Sequence, residues 1–181
     1  MKNRSPLLKK LRILAKRLLG IPQWVGEWEF SIVGVDGKVK ESWTVFNALA
    51  DEGEQSILDS YFRAQNTPTS FFLRLFNDTP AETDTLADLL NEPSGNGYSA
   101  ITLARNTTDF PTLALDSGDY RVSSKQVTFT ASGGTMGTAT YAVLATSSDN
   151  SGKLIAYVAL ATTRTLLAGE SLNVTFRAKL Q

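Results

Sequence analysis

Along the first nineteen residues apolar positions recur at the helical interval. Leu7, Leu8, Leu11, Leu14, Ala15 and Leu18 share one side of a helix, while Lys9, Lys10, Arg12, Lys16 and Arg17 fall mostly on the other. Ser5 suits an N-cap, Pro6 the first helical position, and Gly20 with Pro22 a stop, so the pattern predicts a helix over 6–19. One face asks for an apolar partner; the other suits water or anions.

After Pro22 the period shortens to two. Trp28, Phe30 and Ile32 alternate with polar residues, Asp36-Gly37 is a two-residue hairpin signal, and Val39, Trp43 and Val45 alternate again with Glu41 as the exception. This predicts a hairpin over 27–46. Asn47 can cap a helix to about Arg63, and Thr79-Pro80-Ala81-Glu82 has the form of a capping box, which predicts one or two short helical turns over 79–90. Between them, Ser70–Phe76 reads as a buried strand.

From Tyr98 onward, runs at 99–104, 112–115, 126–130, 138–145, 154–161 and 172–180 have strand character. Asp116-Ser117-Gly118, Ser132-Gly133-Gly134 and Asp149-Asn150-Ser151-Gly152 separate them. Val127/Phe129, Tyr141/Val143 and Val174/Phe176 alternate as core-lining pairs should, and the unbroken run Leu154–Leu160 reads as a central strand. The expected fold is mainly β: an antiparallel β-sandwich or jelly-roll-like body over 23–181 with one or two short helices, preceded by an amphipathic helical arm over 1–22.

Charge sharpens the division between arm and body. Lysines plus arginines equal aspartates plus glutamates at 18 each, but residues 1–26 hold seven cations and no acid, which leaves the other 155 residues at −7. The Lys and Arg residues interrupt any secretory apolar run, although an acid-free amphipathic start also resembles a mitochondrial transit peptide. No stretch is long and apolar enough for a membrane span. The arm therefore has three readings: phosphate binding, which makes it the only route to nucleic acid; an interfacial helix on anionic lipid; or a docking helix. The regular leucine face favours docking, with Leu7, Leu11, Leu14 and Leu18 against the partner and Lys9, Lys10, Arg12, Lys16 and Arg17 free for anion contacts.

The chain has no cysteine and no histidine. Disulfides, thiolate chemistry, Cys-type zinc sites and Ser-His-Asp hydrolysis are thereby excluded. The acids Asp78, Glu82, Asp84, Asp88 and Glu92 lie at predicted helix starts, where capping is the plainer reading than acid-base catalysis. Asp149–Gly152 lacks the ligand series of a calcium loop, and Ser132–Gly137 lacks the Lys of a phosphate loop. No catalytic, cofactor or metal residue is expected. Trp24, Trp43, Tyr98 and Tyr141, with nearby Asn and Asp, would be the aromatics available to a glycan-binding surface.

Two stretches carry a family resemblance. Residues 47–106 contain NALADEG at Asn47–Gly53, the pattern F-x-x-x-L-x-N-D-T-P at Phe71–Pro80 and the pair Gly97-Tyr98; residues 127–180 end in Gly-Glu-Ser-Leu-Asn-Val-Thr-Phe at Gly169–Phe176. Both resemble a group of small virion structural proteins of tailed bacteriophages. The resemblance omits the arm. It implies a non-enzymatic part of the particle, assembled in the host cytoplasm as a homo-oligomer among other virion proteins, capsid or tail. The leading expectation is a head decoration or cement protein that clamps an adjacent subunit through its arm. A tail or neck adaptor or tip module, and a host-surface glycan-binding module, are the alternatives.

Overall fold

The structure is a computed structural model and describes residues 24–180. The helix predicted at 6–19, with its leucines and cations, lies outside the described residues.

Strand β1 (Trp24–Val33) buries Trp28 and Phe30 and turns Glu27, Glu29 and Ser31 the other way, as a two-residue period requires. It pairs antiparallel with β2 (Val39–Phe46). The connection is longer than a two-residue turn. Gly34 N–H donates to the Lys38 carbonyl at 2.8 Å, and Gly37 supplies the positive φ of +75° within this five-residue loop. The other edge of β1 is filled by the last strand, β11 (Ser171–Leu180), in an unbroken ladder from Trp24↔Leu180 to Val33↔Ser171. On β11, Leu172, Val174, Phe176 and Ala178 are buried and the residues between them are not.

Two shorter strands share the far edge of β11. β8 (Val127–Thr130) pairs with residues 171–174 and β7 (Asp119–Ser123) with residues 177–179. Ser124 sits at the break: its N–H donates to the Phe176 carbonyl at 2.8 Å, and its Oγ accepts the Phe176 N–H at 3.0 Å. β7 in turn carries β6 (Thr112–Asp116) as the edge of this first sheet.

The second sheet is antiparallel in the order β3 (Ala48–Leu49), β10 (Leu154–Arg164), β9 (Ala139–Ala145), β4 (Ser70–Phe76), β5 (Ile101–Ala104). It packs on the first to form a sandwich, with the main core between them. The apolar run of β10 is continuous because both its faces are covered. One faces the first sheet; on the other, Leu154 and Tyr157 meet Ala50, Leu86 and Leu89 in a second cluster.

One helical expectation needs correction, and the other is met in its shorter form. Among the described residues the single α-helix, α1 (Asp51–Phe62), starts four residues beyond Asn47 with Ala50 at its N-cap, because Ala48 and Leu49 are drawn into pairing with Tyr157 and Ala156 of β10. Over 79–90 there is one 3-10 turn, Leu86–Asp88, with Thr85 and Asp88 forming a capping box. Asp84 caps the Ala81 N–H at 2.7 Å instead of starting a helix, and Asp78 closes the loop by accepting from Asn91 N–H at 2.8 Å and Nδ2 at 2.7 Å. Leu86 and Leu89 are thus pinned against the sheet. The strand β7 was not anticipated; it forms because Ser117 (φ +55°) and Gly118 (φ +95°) make a two-residue loop of the left-handed kind that matches strand twist.

The start of α1 lies on β10. Ala50 N–H donates to the Ile155 carbonyl at 3.1 Å, and the Glu52 carboxylate accepts the N–H groups of Leu86 at 3.0 Å and Leu154 at 2.8 Å. Gly53 makes this approach possible, since a Cβ there would stand 2.1 Å from the Ile155 carbonyl oxygen. Across the same sheet, Arg74 is buried at 2 % exposure. Its Nε and Nη2 grip Glu92 at 2.9 and 2.6 Å, Nη1 reaches the Asp149 carbonyl at 2.8 Å, and Nη2 reaches Asn150 Oδ1 at 2.9 Å. Tyr98 Oη donates to the same carboxylate at 2.6 Å and accepts the Leu75 N–H; burial first, and Glu92 second, push its phenol well above the usual range. The network ties β4, the 92–98 loop and the β9–β10 turn together.

Two stability predictions follow from these contacts. Gly53→Ala is expected to destabilise by about 1–3 kcal/mol through overpacking against β10, although Ala is the better helix former by about 1 kcal/mol; urea denaturation reads the sign directly. Glu92→Ala leaves the Arg74 charge buried and is expected to cost roughly 3 kcal/mol, the low end for a broken buried pair because Glu92 is 25 % exposed.

Candidate functional site

The polar clusters that sequence chemistry singles out are engaged in holding loops. Asp78, Asp84 and Asp88 close turns, and Glu92 holds Arg74. Asp149 accepts from the Ser151 N–H at 2.9 Å and from its hydroxyl at 2.5 Å, within the β9–β10 turn. The glycine-rich stretch meets another loop: Ser132 N–H donates to the Asn96 carbonyl at 2.8 Å, and Asn96 Nδ2 donates to the Thr135 carbonyl at 2.6 Å. No group of three or more metal-type ligands occurs among the described residues, and no helix among them is long and apolar enough to cross a membrane.

Three of the aromatics considered for glycan contact, Trp43, Tyr98 and Tyr141, do not make a common surface. Trp43 is stacked between Phe30, at 5.2 Å, and the Arg164 guanidinium, at 4.3 Å from its ring. Arg164 also grips Glu41 through both Nη atoms at 2.7 and 2.8 Å, which explains why a carboxylate is tolerated on the apolar side of β2. Tyr98 stacks on Phe129 at 5.8 Å inside the sandwich, and Tyr141 lies against Tyr157 at 6.4 Å on the opposite side of the second sheet. A sugar would find no shared platform among these three.

The prominent unsatisfied surface is apolar and lies at one end of the sandwich. Residues paired across a ladder share a face. Leu113 pairs with Val122 and Val122 with Ala178, so all three point the same way as the buried Ala178 side chain. Leu115 and its partner Tyr120 continue that face along the hairpin, and Leu180 continues it along β11. Towards the hairpin tip the described residues leave it uncovered: Leu113 is 70 %, Leu115 64 %, Tyr120 62 % and Leu180 64 % exposed. The core-facing side of the first sheet therefore overhangs the second.

Beside this overhang runs a groove of about 510 Å³ whose floor includes Leu144, Ile155 and Phe176, and whose walls include Ile57 and Tyr61 of α1. Ile57 and Tyr61 are one helical turn apart, on one side of α1. The opposite wall is the 105–110 loop, with Phe110 edge-on to Phe71 at 6.1 Å. That loop is fixed by Asp109, which accepts the Ala104 N–H at 2.7 Å and the Lys125 ammonium at 2.6 Å. The Lys125 hydrogen bond first, then the Ala104 amide, hold the Asp109 carboxyl below the usual carboxylate range. Leu58, Tyr61 and Phe62 add three more exposed apolar side chains along α1. Exposed apolar surface of this kind suits an interaction with protein, lipid or a ligand.

The alternating pattern pointed to the core but not to this surface. The signal was present in Leu113, Leu115, Tyr120 and Val122, which alternate across Asp116–Asp119; reading Ser117-Gly118 as a hairpin loop would have exposed it. The arm residues Leu7, Leu11, Leu14 and Leu18, and Lys9, Lys10, Arg12, Lys16 and Arg17, are outside the described residues and are not placed relative to it.

Residues 48–179 match a family model described as podophage GP4 fiber I protein gp80. No curated protein matches the chain. The matched span begins at β3 and takes in α1, the whole second sheet, β6 to β8 and nearly all of β11; the β1–β2 hairpin and the arm lie outside it. A fibre subunit is not a shell cement, so the match turns the expected position from head decoration to the tail-side alternative. Well over half of the chain is covered, and the chain belongs to this family of podophage fibre proteins, structural proteins of the tailed-phage virion.

Proposed function

We propose that the chain is a non-enzymatic component of a tail fibre that assembles with other tail or fibre subunits. The family match over 48–179 carries this reading. The geometry supports it: the candidate acids close turns and loops, whereas Leu113, Leu115, Tyr120 and Leu180 present exposed apolar side chains at one end of the sandwich. Residues 1–22 serve as a separate docking arm on the 23–181 body. In the arm, Leu7, Leu11, Leu14 and Leu18 form the contact face, and Lys9, Lys10, Arg12, Lys16 and Arg17 stay solvated or meet anions. The body associates with further copies of itself, and the protein is incorporated into the particle in the host cytoplasm.

Gold labelling of an epitope-tagged copy on intact particles locates the protein. Label on the fibres and none on the shell is the expected result; label distributed over the head would return the protein to a decoration role.

A further inference from the structure

We infer that the overhanging apolar end of the sandwich is the receptor for the leucine face of this chain's own N-terminal arm. The inference deepens the docking role proposed for the arm and rests on reading 6–19 as an amphipathic helix.

The point at which the arm joins the body makes the case. Trp24, the first described residue, pairs with Leu180, and Gly26 pairs with Ala178. Leu180 belongs to the exposed face, and Ala178 lines the groove beside it. The arm thus enters the fold at the edge of the uncovered surface. Only residues 20–23 separate the end of the predicted helix from β1, and four residues reach about 14 Å at most. A helix so tethered is confined close to this face, at an effective concentration in the millimolar range typical of short linkers.

Size and chemistry agree. Fourteen helical residues span about 21 Å. From β1 across β11 and β7 to β6 is three strand steps, about 14 Å at the usual inter-strand spacing. A helix laid across the strand ends would therefore reach beyond Leu113 and Leu115 on the edge strand, and its length leaves enough to approach the groove beside α1. Leucines at 7, 11, 14 and 18 form a stripe that matches an apolar strip bounded by Tyr61 on one side and Tyr120 on the other. The charges are complementary overall. The arm carries +7 and the remainder of the chain −7; Asp51 and Glu54 are exposed on the first turn of α1, and Asp116 and Asp119 flank the hairpin tip, where Lys179 and Arg121 share them. With its apolar side inward, the helix would hold Lys9, Lys16 and their neighbours toward solvent above an acidic body.

The absence of cysteine makes the test clean. In the full-length chain, Leu115→Cys is combined in turn with Leu7→Cys, Leu11→Cys, Leu14→Cys and Leu18→Cys, and with Lys9→Cys and Lys16→Cys from the polar side. At least one leucine position should form a disulfide within a single chain under mild oxidation, and the lysine positions should not. Disulfides between two chains would assign the surface to a second copy's arm and overturn the inference, as would no disulfide in the isolated protein.

A second measurement does not depend on trapping a bond. The single variant Leu115→Cys alters an exposed position, and its maleimide labelling should speed up at least tenfold when Leu11→Lys and Leu14→Lys are added. An unchanged rate would also overturn the inference. Neither readout uses the particle, so either can fail while fibre labelling succeeds.

Discussion

Between Ser171 and Leu180 a single strand meets three others, and the first sheet depends on that saturation. β11 gives one edge to β1 over ten residues and divides the other between β8 and β7. Its backbone groups are paired on both sides while Leu172, Val174, Phe176 and Ala178 fill the core, so neither a ladder hydrogen bond nor a buried side chain can be lost without the other. The pairing is also remote in sequence: Arg177 meets Glu27 at 2.8 Å across 150 residues. The loop-closure entropy of that contact must be offset by burial elsewhere. Trp28 edge-on to Phe176 at 5.3 Å is one place where it is.

Dividing one edge of β11 between two strands has a functional consequence. β8 leaves at Ser124 and β7 takes over, so the β6–β7 hairpin is carried toward the end of the sandwich at which β1 enters. The second sheet does not follow it there, and the apolar side of the hairpin is left uncovered. The same arrangement that completes the core thus creates the exposed apolar face proposed to receive the arm.

Much of the body is legible in the sequence because burial imposes a period of two wherever one face is wet. Val174/Phe176 and Val127/Phe129 stand out for that reason, and the run Leu154–Leu160 is continuous because α1 and the 77–91 segment cover its second face. What was not legible depends on distant partners. Arg74 lies within an apolar run, and its burial makes sense only once Glu92 and Asn150 are brought to it. Gly53 resembles a weak point in a helix until Ile155 is set against it. Asn47 and Thr79 offer sound capping chemistry that tertiary pairing overrides, through β3 in one case and the Asp78–Asn91 closure in the other. The apolar end was missed because β7, read as Asp-Tyr-Arg-Val-Ser, is too polar to announce a strand by itself.

If a fibre-family sandwich keeps one apolar end for a helical arm attached beside it, a reconstruction of the intact fibre at side-chain resolution will show a helical rod of about 21 Å lying over Leu113, Leu115 and Tyr120 and continuous with Trp24 of the same subunit. An end left open to solvent, or one filled by chain that traces to another protein, would contradict it.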